Sequence, residues 1–397
     1  MPKNLPREPA AMLLAMAFVM PLTFSVWNAL LNNFAVEQVA FTGREIGILQ
    51  SLREIPGFLT FTVVFLLLLV REQRLALLSL LLMSAGVAMT GQFPTVLGLY
   101  ITTVIMSVGF HYFEALNESL TLQWLPKKDT AHFMGKVLAF KGIAALLAYG
   151  SIWVLMDQLG WAFEHMYLLA GGVGIAAVLG IWLWFPHFRE KTVQHKKIIL
   201  RRRYWLYYGL TFMGGARRQI FMVFAAFMMV EKFGYSVGQI SLLYMVNYVF
   251  NLFFAPRIGA WIGKVGERRA LTLEYIGLFV VFASYAFVES ALMAAALFII
   301  DHFFFALAIA IKTYFQKIAD PEDIAGSAGV SFTINHIAAV VVPVILGMVW
   351  MVSPAAVFMT GACFALVSLG LARLIPGSPG PGSETRWSVP AVAAKAG

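Results

Sequence analysis

Apolar residues run along this chain in long unbroken segments separated by short polar stretches, and most segments reach the length of about 20 residues that a helix needs to cross the hydrocarbon core of a bilayer. They lie near 11–36, 44–70, 73–92, 96–125, 134–156, 164–186, 204–230, 237–262, 269–288, 291–316, 325–352 and 355–375. The pattern predicts about twelve membrane spans. Continuous apolar runs, rather than alternation, argue for helices and against a barrel.

Composition sharpens this to an all-α integral membrane protein. Hydrophobic residues make up 60% of the 397 and charged residues 12%, whereas an ordinary soluble domain is about 25% charged. The single cysteine, Cys363, excludes an internal disulfide framework and a thiolate metal cluster, and its apolar neighbours predict a packed, inert thiol. The opening MPKNLPREPA has no small-residue cleavage site before the first apolar segment, so that segment is expected to stay in the mature protein.

Basic residues set the orientation. Loops after even-numbered spans carry Arg71 and Arg74, Lys127 and Lys128, Lys264 with Arg268 and Arg269, and Lys317. The longest connection, HFREKTVQHKKIILRRR at 187–203, is the most basic, whereas loops after odd-numbered spans hold chiefly Arg44 and Lys232. Both termini are therefore expected to be cytoplasmic, in a multi-pass plasma membrane protein, with a bacterial inner membrane the expected setting. The net charge of +9 follows from topology and anionic lipid and calls for no nucleic-acid partner.

The linker also separates two similar halves. HYFEALNESLTLQW (111–124) corresponds to HFFFALAIAIKTYF (302–315), and GREIGILQSLREI (43–55) to VGQISLLYMVNYV (237–249). A duplicated unit predicts a six-helix bundle over 1–186, the basic linker 187–203, a second six-helix bundle over 204–375, and a Pro-, Gly- and Ser-rich tail over 376–397 that is expected to be disordered.

GAWIGKVGERR at 259–269, between spans eight and nine, is similar to the G-x-x-x-D-[RK]-x-G-[RK]-[RK] loop of the major facilitator superfamily, through Gly259, Lys264, Gly266, Arg268 and Arg269. The chain resembles that superfamily over essentially its whole length, with one departure: Gly263 stands where the family has its acidic residue. The resemblance implies that spans three, six, nine and twelve form an outer support while the others surround the substrate path. It also implies that spans one and seven meet around the site, and that this loop helps to gate it.

Polar residues within the spans supply the candidate chemistry, because an ionisable group inside a membrane costs about 2.5 to 3.5 kcal/mol on insertion scales and must face a cavity or a partner. Spans two, four, five, seven, ten and eleven carry Arg53 with Glu54, the His111, Glu114 and Glu118 group, Lys141, Arg217 with Arg218, Asp301 with His302 and Lys312, and His336. Asn28, Asn32 and Asn33 on span one and Asn247 and Asn251 on span eight extend the lining. Arg53 and Arg217, both placed near mid-membrane by residue count, offer planar donor forks suited to a carboxylate or phosphate. Arg53, Arg217, Arg218, Asn28, Asn32, Lys141, Asn247 and His302 are thus the expected substrate contacts.

Desolvation disfavours a charged carboxyl and a nearby arginine favours it, so a carboxyl moving between the two environments can load and release a proton. Glu114, Glu118, His111, Glu54 and Asp301 are the expected proton-coupling groups. Structural ion pairs are the alternative: Arg53 or Arg217 with Glu54, Glu114 or Asp301, and Lys141 with Glu114. Adjacent helical positions diverge by about 100°, which predicts that Arg53 and Glu54 find separate partners.

The expected function is therefore secondary active transport, as symporter or antiporter, of a small anionic or zwitterionic solute, coupled to protons, without a cofactor, in a monomer surrounded by lipid. Transport of a metal such as copper, or of a hydrophobic compound, is the alternative on the same fold, because the chain holds 19 methionines, which are soft ligands. A non-transporting receptor or a membrane enzyme ranks lower, since no nucleophile elbow, phosphate-cradling loop or HExxH pattern occurs. GGVGIAAVLG at 171–180 lies inside a span and reads as close helix packing.

Overall fold

The computed structural model describes residues 8–125, 127–188, 200–320 and 323–387, so most of the basic linker and the end of the tail lie outside the described residues. The first half forms α1 (Pro9–Val39), α2 (Gly43–Phe58), α3 (Val63–Leu66), α4 (Glu72–Thr90), α5 (Val96–Trp124), α6 (Lys127–Ile152) and α7 (Phe163–Trp184). The second forms α8 (Trp205–Gln219), α9 (Ala226–Glu231), α10 (Val237–Val265), α11 (Glu267–Ala286), α12 (Ala291–Ala306), α13 (Ile309–Ile318), α14 (Ile324–Trp350) and α15 (Pro354–Arg373). Helices fall on all twelve expected segments, and among the described residues nine are long and apolar enough to cross a membrane.

Local chemistry explains where the helices start and break. Thr95, Ser290 and Ser353 cap α5, α12 and α15 by accepting a backbone N–H of the first turn. Pro56 inside α2 removes a helical donor, and within three residues the chain tightens into a 3-10 stretch, Leu59–Thr62. Thr60 Oγ1 donates back along the helix, at 2.7 Å from the Gly57 oxygen and 3.1 Å from the Pro56 oxygen. The seventh expected span is likewise discontinuous: α8 passes through a π-helical stretch, Ile220–Ala225, into α9.

The chain divides into two compact units, but the division does not fall at the linker alone. One unit is built from the described parts of Met1–Phe41, Leu52–Gln194 and Tyr235–Tyr248, the other from Thr42–Ser51, the described parts of His195–Gly234 and of Val249–Gly397. The two short segments that pack with the opposite half are the starts of α2 and α10, which the sequence repeat pairs with each other. In the first unit Tyr235 accepts a hydrogen bond from Asn33 Nδ2 at 2.7 Å, and Gly238 lies against Asp157. In the second unit Gly43 and Gly47 lie against Trp350 and the Pro343–Gly347 backbone of α14.

Small residues set the helix spacing in the first unit. Gly109 of α5 sits against the backbone of Ser79 and Met83 on α4, and Gly174 of α7 against Ser84 and Thr23. A β-carbon at either place would enter the neighbouring helix, which is the close packing expected of the glycine run in α7.

Two expectations need correction. Cys363 is exposed on α15 rather than packed: a lipid-facing helix surface is as apolar as a core, so apolar neighbours do not distinguish the two. Nor is the tail disordered throughout. Residues up to Trp387 fold back onto the second unit, where Arg386 N–H donates to the Leu374 carbonyl at 2.8 Å and the Tyr314 hydroxyl donates to the Glu384 carbonyl at 2.5 Å. The Trp387 ring stacks on Trp205 with centroids 6.4 Å apart. Specific hydrogen bonds and a tryptophan override a composition dominated by Pro, Gly and Ser.

Candidate functional site

Polar groups gather in one region of each unit. In the first unit Arg53 pairs directly with Glu54, with both side chains largely buried. The expectation of separate partners is thereby overturned: the arginine stem is long enough to bring its guanidinium round to the neighbouring carboxylate, whatever the divergence of the Cα–Cβ bonds. Nearby on α1, the half-buried Asn28 hydrogen-bonds to Tyr244, and Ser25 to Tyr149. Tyr149 stacks on Tyr244 at 5.4 Å and meets Tyr248 at 5.6 Å. Arg53 lies within electrostatic reach of Tyr244.

Exposure rises along α5 from His111 to Glu118. His111 is buried with its ring edge-on to Phe110 at 5.0 Å, the Glu114 side chain is 38% exposed and Glu118 is exposed. Lys141 Nζ on α6 donates to Glu114 Oε1 at 2.8 Å, which is the structural pair that sequence reasoning left open. Asn32 and Asn247 are buried, and neither Asn32 Oδ1 nor either polar atom of the Asn247 amide has a hydrogen-bond partner among the described residues.

In the second unit Arg217, which the sequence assigned to substrate, has no solvent exposure. Its Nη2 lies 3.5 Å from Glu274 Oε1, its guanidinium sits 4.2 Å over the Tyr275 ring, and its Nε–H donates to the Met213 carbonyl at 3.2 Å. Asp301 is equally buried and lies within electrostatic reach of both Arg217 and Glu274. Its neighbour His302 packs against Phe221 at 5.4 Å and Phe298 at 6.3 Å, and Arg218, although exposed, lies within electrostatic reach of His302.

Glu274 is the buried partner of Arg217 that sequence reasoning missed. A single carboxylate in an otherwise apolar ninth span was a visible signal, but the resemblance assigned that span to outer support.

Of the residues expected to form a gating loop, Gly259 and Lys264 lie at the end of α10, Gly266 joins the two helices, and Arg268 and Arg269 lie in the first turn of α11. Gly266 has φ +84°, a backbone conformation open to glycine and strained for a β-carbon, which accounts for its place in the motif. Lys264 and Arg269 are exposed and Arg268 is half-buried, with Gly259 unobstructed. Glu267, four residues after Gly263, is buried and paired with Lys317 on α13 at 2.7 Å.

Beside that loop, the described end of the linker is pinned to the start of α14. Arg201 Nη2 donates to Asp323 Oδ1 at 2.8 Å and the Tyr204 hydroxyl to Asp323 Oδ2 at 2.9 Å, with Arg203 bonded to Asp320. The Arg201 hydrogen bonds, helped by that of Tyr204, hold the Asp323 carboxyl below the ordinary aspartate range.

Sequence profiles of the Major Facilitator Superfamily match residues 12–343 and 208–391. Solved structures agree on the fold. A mutant of the nucleoside transporter NupG superposes with a TM-score of 0.77 at 14% identity, over 92% of this chain and 99% of that one. A bacterial homologue of the human lysosomal transporter Spinster, in an inward-facing and occupied conformation, superposes with a TM-score of 0.68 at 13% identity, over 91% and 95%. No curated protein matches at a significant level. Paired helical halves, the glycine-bearing basic loop before α11, intramembrane charge and the profile match across the chain converge on one assignment: this chain belongs to the major facilitator superfamily, a multi-pass membrane protein of the transporter fold.

Proposed function

We propose that the chain is a proton-coupled secondary transporter that moves a small zwitterionic solute by alternating access. The observation that carries this reading is the arrangement of charge in the first unit: Arg53 with Glu54 and Lys141 with Glu114 form opposite-charge pairs within apolar helices, beside the Asn28 and Tyr244 amide–phenol contact. Charges kept inside a membrane need a function or a partner. A pair that is only partly buried can open to take the carboxylate of a solute on its cation and the ammonium on its anion. A purely anionic solute fits less well, because Arg53, Lys141 and Arg217 each already face a carboxylate.

A second reading rests on the tyrosines. Tyr149, Tyr244 and Tyr248 form an aromatic wall next to Asn28, suited to a planar ring with hydrogen-bonding edges. The substrate named for NupG is of that kind.

Thermal unfolding of the purified protein against a panel of amino acids, nucleosides and dicarboxylates separates these readings, since a ligand of the folded state raises Tm in proportion to its saturation. The zwitterion reading expects amino-acid-like solutes to raise Tm, and Glu54→Gln or Glu114→Gln to remove the effect. Stabilisation by nucleosides alone selects the second reading, and stabilisation by dicarboxylates alone contradicts both.

A further inference from the structure

Arg217 on α8, Glu274 on α11 and Asp301 on α12 form a sealed group of two carboxyls and one guanidinium, none of them exposed. Neither oxygen of Glu274 and neither oxygen of Asp301 has a hydrogen-bond partner among the described residues, and the same holds for both terminal nitrogens of Arg217. Two acids therefore share one cation.

The surroundings do not restore the balance. Tyr275 lies under the guanidinium, Tyr285 of α11 interacts electrostatically with Asp301, and His302 is packed among aromatic rings. Arg218 on α8 is exposed and acts on His302, and Glu231 on α9 is hydrogen-bonded to Trp350. α15, which packs against α8 and α11, carries only Arg373 at its far end; α14 carries only His336; and on α13 Lys312 is exposed while Lys317 is committed to Glu267. With both carboxyls ionised, the group would hold an uncompensated negative charge in a low-dielectric interior, a state that proteins avoid by taking up a proton.

We propose that the Arg217–Glu274–Asp301 group of the second unit is a proton-binding site: it holds one proton on either of its two carboxyls, and this is the proton that couples to transport. Binding converts one carboxylate to a carboxylic acid and leaves the other paired with Arg217. The coupling clause rests on the proton-driven transport proposed above. A metal cation of the same charge would need a shell of oxygen ligands, whereas a guanidinium and aromatic rings stand beside these carboxyls. Glu114 is a weaker candidate because Lys141 already balances it and solvent reaches it.

The group is also placed to act on a deformable element. The π-helical stretch Ile220–Ala225 begins three residues after Arg217, and Phe221 within it packs on His302, the neighbour of Asp301. Such π-helical turns are favoured points of helix rearrangement.

Infrared difference spectroscopy of the purified protein, titrated between about pH 5 and pH 9, reads a buried protonated carboxyl directly and needs no knowledge of the solute. The expected result is one carboxylic-acid equivalent in the wild type, lost in both Glu274→Gln and Asp301→Asn, because either change leaves one acid balanced by Arg217. Both variants should melt no lower than the wild type. Absence of the signal from the wild type over the whole range, its persistence in both variants, or its replacement by a sodium-dependent carboxylate shift overturns the site. If the signal behaves as expected but an imposed pH gradient drives no solute, the proton site stands and the transport coupling fails; pH-driven accumulation without the signal gives the reverse.

Discussion

Arg217 Nη2 and Glu274 Oε1 face each other across 3.5 Å with neither side chain exposed to solvent. Residue counting assigned Arg217 to the substrate path, and its burial against Glu274 in the interior of the second unit means that its replacement should act on stability as well.

Removing one partner of a buried ion pair leaves the other charge stranded, typically at a cost of about 3 to 5 kcal/mol. Arg217→Gln should therefore lower the stability of the purified protein by that order, and Arg217→Gln combined with Glu274→Gln should recover much of it. Denaturation of the two variants in the same detergent measures this. A single variant that melts with the wild type but binds solute more weakly would return Arg217 to the substrate path.

The Lys141–Glu114 pair belongs to a different class. Both side chains are partly exposed, and such pairs contribute about 0 to 1 kcal/mol to stability. Glu114→Gln should scarcely move Tm, should weaken solute binding, and should leave pH-driven accumulation intact at saturating solute. Loss of pH-driven accumulation with unchanged binding would make Glu114 the proton carrier instead of the buried group.

Stability should depend on acid through Asp323, the end of the span-connecting segment that grips Arg201. The folded carboxyl is held below its unfolded range, so its contribution is present above the unfolded pKa of about 3.9 and is lost as pH falls through the folded value. Asp323→Asn should accordingly lower Tm at neutral pH, and the gap to the wild type should close as pH falls below about 4. A gap that stays constant across that range would show that the residue acts by packing alone.

Ending the chain after Ile375 removes the Tyr314–Glu384 and Trp205–Trp387 contacts. The shortened protein should insert and fold but melt earlier, and Trp387→Ala should reproduce part of the loss. Equal melting temperatures would mean that the fold-back contributes nothing to the second unit.

Much of the architecture was legible because hydropathy reports the solvent around a helix: every expected span received helices, and the paired sequence segments 43–55 and 237–249 include the starts of α2 and α10 that pack with the opposite half. Pairings were less legible. Arg53 and Glu54 were assigned apart from Cα–Cβ directions, which the flexible arginine stem does not obey. Glu274 was passed over because the resemblance placed its span in the outer support, and only tertiary packing sets it beside Arg217. The tail misled through its composition, since disorder follows from average content, whereas a few contacts by Glu384, Arg386 and Trp387 decide its path.

The central claim is that a proton gradient drives solute through this chain. Its most direct measurement is uptake of the solute identified by thermal unfolding into sealed vesicles of purified protein, with a pH gradient imposed and then collapsed by a protonophore. The account predicts accumulation above equilibrium that vanishes with the protonophore and is absent from Asp301→Asn, while exchange of labelled for unlabelled solute continues. Accumulation that ignores the pH gradient, or a solute that binds and never crosses, would contradict it.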